Sequence, residues 1–556
     1  MVVYPLSNYL PKAFFMTYSF YTQKASVTPQ SEPIPGRESE MIQGKSGGYM
    51  FDGGIWTMVR RCLLLGTATD QFYSGKAELT GQFVDVLRQA IAEDPKRVAD
   101  EILYASDGHA INNHAPIFAL VLLSMGDRPE AKKAFRDIFQ QVVRTGSHFH
   151  EWVSYTKQVR GIGRNVREVA QGWLLRDDVK WLAYQMLKYQ QRMGFSFKDE
   201  LRLFKPASVD TLHSHLYRWA VGKPIEFDVF EITESGEPAI AQDGLDLVRW
   251  YEWLKQNQSQ GERAVREGGL THEMVAPICN MTIDVWQALF EQMPIGALLR
   301  NLGSLTEIAV IRFDKVHNLN HIESVLTSPD RLKKGRIHPI DVLKALKTYE
   351  SGGSLGKSSK TWQKVDRVVD ILENALSLSF ETLEPTGKVF LHAVDISGSM
   401  SWQANSAIGL TASEIAATMA LSTAKAEQNY IIRGFSTEFK DLGISASDSF
   451  LSACQKASNQ TFGGTDATVA YQWVIANKVH VDVFCFWTDS ESWAGSKHPS
   501  QSLAEYRKAV NPKAKAVYTT IASNQITLVD PKDPLSFDFG GFDPSIPKAI
   551  QEIALF

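Results

Sequence analysis

At 556 residues the chain exceeds what a single hydrophobic core organises, so two or more domains are expected. Its 44% hydrophobic and 22% charged residues are those of a globular protein, and it holds no apolar run of the roughly 18 residues that a membrane helix needs. A formal charge of −4 excludes nucleic-acid binding by overall charge, so any such binding requires a local basic patch.

The four cysteines (Cys62, Cys279, Cys454 and Cys485) are far apart and form no Cys-x-x-Cys. They fit reduced thiols in a cytoplasmic protein better than disulfides or a zinc site. The first residues, MVVYPLSNYLPKAFFMTYSFYTQKASV, are aromatic but have neither a basic start nor a continuous apolar segment. They read as a disordered leader or a misplaced start site, not a signal peptide. Residues 26–48, rich in Ser, Pro and Gly, read as linker, so 1–48 is expected to be disordered.

From residue 49 to 380 the apolar period is helical. GQFVDVLRQAIAED (81–94) places Phe83, Val86, Leu87 and Ile91 on one face. Asp94-Pro95 then supplies a cap and a proline at the first helical position, and the same device is expected at Asp127-Arg128-Pro129. NVREVAQGWLL, KWLAYQMLKYQ, LDLVRWYEWLKQ and HPIDVLKALKTYE continue the pattern. Many short helices in series predict an α-solenoid, since each pair hides its apolar face only by stacking on the next. With no strict sequence period, HEAT-like repeats fit better than TPR or ankyrin. An irregular helical bundle is the alternative.

After Pro385 short apolar runs rich in β-branched and aromatic residues appear: KVFLHAVD (388–395), NYIIRGF (429–435), VHVDVFCFWTD (479–489) and AKAVYTTIA (514–522). Helical stretches such as LTASEIAATMALSTAKAE separate them. This alternation predicts a doubly wound parallel sheet over 385–556, with ligands beyond the carboxyl ends of the strands.

VDISGSM (394–400) ends one of those strands. Asp395, Ser397 and Ser399 are hard oxygen donors, and alternate residues of an extended loop point the same way. Alone, Asp-x-Ser-x-Ser is most simply a polar turn. Thr465, after two glycines, and Asp489, at another strand end, supply further oxygens in a fixed order. The set resembles the metal-ion-dependent adhesion site of von Willebrand factor A domains. That resemblance implies a divalent cation, Mg²⁺ first, held by Asp395, Ser397, Ser399, Thr465 and Asp489, with a position left for a partner's carboxylate. The enzyme readings fit poorly. A dehalogenase-type phosphatase needs a second Asp where Ser397 stands, and a serine hydrolase needs Gly-x-Ser-x-Gly. His392 reads as a packed core histidine.

LTSPDRLKKGRIHPIDVLKALKTYESG (326–352), EQMPIGALLRNLG (291–303), KYQQRMGFSFKDELRLFKP (188–206) and EPTGKVFLHAVDISGSM resemble segments of the Ro autoantigen (TROVE-domain) family; with an idiosyncratic leader and no eukaryotic targeting signal, a bacterial homologue is expected. The resemblance spans about residues 50–556. It implies a ring of HEAT-like helices closed by the A-type domain, and a non-enzymatic ribonucleoprotein, monomeric in protein and off the membrane. A small noncoding Y-like RNA would bind the outer face. Single-stranded 3′ ends of misfolded or immature RNAs would pass through a central hole, with an exoribonuclease as partner.

The charge distribution is read independently of that resemblance. Residues 141–205 carry twelve Lys/Arg against six Asp/Glu, whereas 386–556 carry thirteen against sixteen. Lys and Arg that neutralise phosphates supply most nonspecific RNA affinity. Arg160, Arg164, Arg167, Lys188, Arg192, Lys198, Arg202 and Lys205 are the candidate RNA contacts. Tyr184, Tyr189, Phe195 and Phe197 are interleaved, either as stacking platforms or as core. The family usually has a histidine at the position of Phe197. His148/His150 and His213/His215, spaced by two, diverge by about 200° on a helix and cannot share a metal. They read as surface or RNA-proximal residues. The rival to RNA binding is a metal-dependent protein-interaction scaffold.

Overall fold

In a computed structural model of the chain, the structure describes residues 27–66, 76–207, 210–223, 231–232, 238–239, 244–353, 360–380, 383–405, 409–460 and 463–556. Most of the expected leader (1–26) lies outside them.

Between Gly54 and Ser379 the described elements are almost all short helices, each packed on near neighbours in sequence. That is how a solenoid shares its core. Helix Lys76–Glu93 buries Phe83, Leu87 and Ile91. Asp94 caps the next helix by accepting from the amides of Lys96 and Arg97, with Pro95 following it. The second expected cap differs: Arg128 precedes Pro129 in extended backbone with no side-chain cap, so the fixed φ of proline sets this helix start without Asp127.

The array returns on itself. Asp107, in a loop after the third helix, pairs with Arg336 near the far end of the series. Nine strands matter here, β1 (Met41–Gln43), β2 (Tyr49–Asp52), β3 (Val389–Asp395), β4 (Asn429–Phe435), β5 (Phe439–Asp441), β6 (Val483–Thr488), β7 (Lys515–Thr520), β8 (Ile526–Thr527) and β9 (Ser536–Gly540). The main sheet runs β5-β4-β3-β6-β7-β9, parallel except for β5. The first four parallel strands lie in the runs predicted from sequence; β9, SFDFG, is an addition.

Two seams join this domain to the helices. One is apolar: a single core runs from Phe290 through the last helices into β3, β6 and β7. The other is polar. Arg61, 1% exposed on helix Gly54–Leu65, donates to the Asn524 and Ile526 carbonyls, the Asn524 amide oxygen, Thr520 and both oxygens of Asp538. Buried Asp543 accepts from Tyr104 and meets His109 Nδ1 at 2.8 Å. Desolvation works to raise its carboxyl, but the charge of His109 together with the bonds from His109, Tyr104 and Ser545 outweighs it and holds the carboxyl down at about 2.

Residues 27–48, expected as disordered linker, are structured where described. β1 and β2 form a hairpin that pairs antiparallel with β8, and Gln30 is fully buried. Two short strands joined by a glycine turn read as linker because their segment's partners lie more than 400 residues away.

Candidate metal centre and basic face

β3 and β6 are adjacent and parallel, so their carboxyl ends open on one edge of the sheet. Asp395 ends β3, and Asp489 follows β6 directly. Both lie within the sheet's apolar core and are 0% and 2% exposed. The Asp395 carboxylate accepts from the Ser397 amide at 2.9 Å and from Thr488 Oγ1 at 2.6 Å. The hydroxyls of Ser397 and Ser399 are 3.0 Å apart, so the alternate serines do face one point. The third loop joins the other two. The Gly398 amide donates to the Gly463 carbonyl at 3.4 Å, and the Trp493 and Ala494 amides donate to the Thr465 carbonyl. Gly463 has φ +89, and a Cβ on Gly464 would lie 2.7 Å from the Trp493 ring, so both glycines are required by the backbone.

Among the described residues, Thr465 Oγ1 and Asp489 Oδ2 are buried without a hydrogen-bond partner. Leaving such oxygens unpaired costs free energy, so the arrangement is unfavourable unless something fills it. Burial raises the carboxyls of both aspartates well above the ordinary range, and the charge of Asp395 raises Asp489 further. Two carboxylates and three hydroxyls, all hard donors, with two orphaned oxygens, suit a small divalent cation. Sequence reasoning missed Thr488, which anchors Asp395, and Glu491, whose amide donates to Asp489 Oδ1 at 3.0 Å. TDSES carried both, but nothing in it ranked them. His392 is fully buried beside Trp487, where desolvation holds it neutral, with its pKa near 3.

The candidate RNA contacts fall into two groups. Arg164, 91% exposed, and Arg167 project from helix Arg164–Leu174, whose other face buries Val166, Ala170 and Trp173. Among the described residues Arg164 is held by exposed Glu168 alone, a pairing worth little in water. Lys198 and Arg202 are exposed on helix Phe197–Phe204, and Lys205 ends that helix at φ +49. Gln171 donates to the Phe204 carbonyl and ties the two helices together. Arg192 is exposed on a short hairpin that leads into the second of them. These six residues remain available to a ligand.

Arg160 and Lys188 are committed internally. Arg160 donates to Ser124 Oγ and its carbonyl at 2.6 Å, and Lys188 donates to Tyr184 at 3.0 Å. Arg160 nevertheless lines an open cleft of about 570 Å³ with Lys132, Met125 and residues 161–163. Lys132, which the sequence reading passed over on an amphipathic helix, faces the same cleft.

The aromatics divide as well. Phe197 is core: it is 3% exposed and stacks near Trp173 and Phe149. Phe195 is half-buried under Lys157. The histidines are less superficial than expected. His150 is fully buried, bridging Glu200 at 2.7 Å and the Tyr189 carbonyl, and His213 is 1% exposed against Asp210. His150 turns inward to buried Glu200, whereas His213 lies between the exposed helix cap Asp210 and the Arg176 carbonyl. Burial raises Glu200 to about 7, more than His150 lowers it.

Family models match in two places: a TROVE domain over residues 257–368 and a Ro60 vWA domain over 389–554. The chain is 29% identical to the RNA-binding protein RO60 of Deinococcus radiodurans, over 95% of this chain and 97% of that one. It is 26% identical to the protein of the same name from Caenorhabditis elegans, over 92% and 89%. The crystal structure of the Deinococcus radiodurans RO (RSR) protein superposes with a TM-score of 0.65 at 28% identity, covering 90% of this chain and 99% of that one. Helical repeats, the A-type sheet and likeness along nearly the whole length agree: the chain belongs to the Ro family, with a TROVE domain and a Ro60-type von Willebrand factor A domain.

Proposed function

We propose that the protein binds RNA on the face carrying Arg164, Arg167, Arg192, Lys198, Arg202 and Lys205, and that its metal centre is a separate device. The observation that carries the reading is the cluster of exposed cations on two linked helices, in a chain whose relatives along nearly its full length are named RNA-binding proteins. The mechanism is electrostatic and positional. Guanidinium and ammonium groups displace counterions from phosphates, while the packed helices fix their spacing. Arg160 and Lys132 line the neighbouring cleft and extend the track.

The ligand on this outer face is a small structured Y-like RNA. Single-stranded 3′ ends of misfolded or immature RNAs engage the opening of the closed helical array, with an exoribonuclease as partner and the small RNA controlling access. The protein performs no hydrolysis; it tethers and presents. Four buried thiols suit a cytoplasmic setting. Among the described residues no helix is long and apolar enough to cross a membrane.

At the sheet edge, Asp395, Ser397, Ser399, Thr465 and Asp489 would hold Mg²⁺. A bound cation would supply a coordination position for an acidic partner. The residues of this chain orient the oxygens and exclude bulk water through burial.

The test is a salt titration of affinity for a small structured RNA, with and without chelator. A steep loss of affinity with salt, flattened by Arg164→Glu/Arg167→Glu and indifferent to chelator, is the expected result. Loss of binding on chelation alone would favour the metal-dependent scaffold.

A further inference from the structure

We infer that the N-terminal segment of residues 28–50 is part of the metal centre, with Gln30 as its positioning residue; the inference rests on the cation reading proposed above. Gln30 is 0% exposed, and its side chain is fully engaged. Nε2 donates to Asp466 Oδ1 at 3.0 Å and to the Lys497 carbonyl at 2.9 Å. Oε1 accepts from Ser492 Oγ at 2.9 Å and from the Gly495 amide at 3.2 Å. Asp466 follows Thr465, and Ser492 lies three residues past Asp489, so one amide group fixes the two loops that carry the orphaned ligand oxygens.

A second contact reaches the same loop. Glu491, 5% exposed, accepts from the Lys45 amide at 3.3 Å, the Ser46 amide at 3.1 Å and Ser46 Oγ at 2.6 Å, while its own amide holds Asp489 Oδ1. At Gly48 the approach is too close for any other residue: a Cβ there would lie 2.3 Å from the Ser492 carbonyl oxygen. Farther along, the side chain of Asn524 donates to the Asp489 carbonyl and accepts from Arg61, so the first helix also braces that ligand. All but Asn524 among these braces start outside the strand–helix unit that begins at β3. A domain excised from residue 385 onward would lack them.

Partners that orient metal ligands typically change affinity about 10–100-fold when removed. The full chain is titrated with Mn²⁺, following free ion by electron paramagnetic resonance, as wild type, Gln30→Ala, Arg37→Ala and Asp395→Ala. Arg37 ties the same segment to Asp530, away from the ligand loops, and controls for attachment alone. Expected are at least a roughly tenfold weaker Mn²⁺ affinity for Gln30→Ala, a change within about twofold for Arg37→Ala, and no binding by Asp395→Ala. In the unaltered protein, Mn²⁺ is expected to slow amide exchange at Gln30 and Tyr49, whose N–H groups bond to Gly495 and Gln30 carbonyls. Undiminished binding by Gln30→Ala, equal weakening by Arg37→Ala, or unchanged exchange overturns the inference while leaving the cation reading intact. Failure of the wild type to bind Mn²⁺ overturns both.

Discussion

The proposed metal centre and the basic face differ most in exposure. Asp395, Thr465 and Asp489 are 0%, 1% and 2% exposed, whereas Arg164 is 91% exposed and paired with a surface glutamate. The first is a buried set of oxygens, some held by neighbours and two left for the proposed cation, so that one loss is expected to be decisive. The second is a field, in which each cation adds a share and none is indispensable. The contrast teaches how to perturb them separately: polar substitutions of matched size for the centre, charge reversal for the face.

The largest effect is expected at the centre. Asp489→Asn should abolish Mn²⁺ binding in a titration while leaving RNA affinity unchanged. It should also stabilise the metal-free protein. Both aspartates have raised carboxyls, so the folded state without metal binds protons that the unfolded chain releases. Its stability therefore falls as pH rises out of the ordinary carboxylate range near 4. Removing one of the two charges should recover on the order of 1–2 kcal/mol at pH 7.5 in chelator, read from denaturant melts. A flat pH profile in chelator would break this side of the comparison.

Next comes the face. Arg164→Glu/Arg167→Glu should weaken RNA about 10–100-fold at 0.1 M salt and reduce the salt slope by about 2, since each lost phosphate contact removes roughly 0.9. Phe197→Ala marks the boundary between face and core. It should cost about 3–4 kcal/mol of stability in melts because it opens a cavity beside Trp173 and Phe149. A loss of RNA affinity without loss of stability would instead make Phe197 a stacking platform. The smallest effect is at Lys205, a cation in left-handed backbone. Lys205→Gly should gain about 0.5–1 kcal/mol while weakening RNA only slightly.

The parts of this molecule legible in sequence are those whose pattern is local. β4 is the run NYIIRGF, and β3, β6 and β7 lie inside the apolar runs that announce them, because parallel strands covered on both faces are nearly continuous in β-branched and aromatic residues. Asp-x-Ser-x-Ser is legible for the same reason: its hydroxyls face one point because alternate loop residues do. What stayed hidden depends on distant partners. Gln30 sits in a stretch of Ser, Pro and Gly, and its meaning comes from Asp466 and Gly495. Arg160 and Lys188 count as cations in any census, yet Ser124 and Tyr184 hold them. His150 looks like a surface residue until Glu200, fifty positions later, is folded against it.

The most direct test of the central claim is to purify the protein from its own cells in mild salt and sequence the RNA that accompanies it. Arg164→Glu/Arg167→Glu and Asp395→Ala proteins are treated in parallel. The account predicts one abundant, structured small RNA with the wild type and with Asp395→Ala, and its loss from the charge-reversed protein. Background RNA in all three, with protein partners released by chelator, would contradict it.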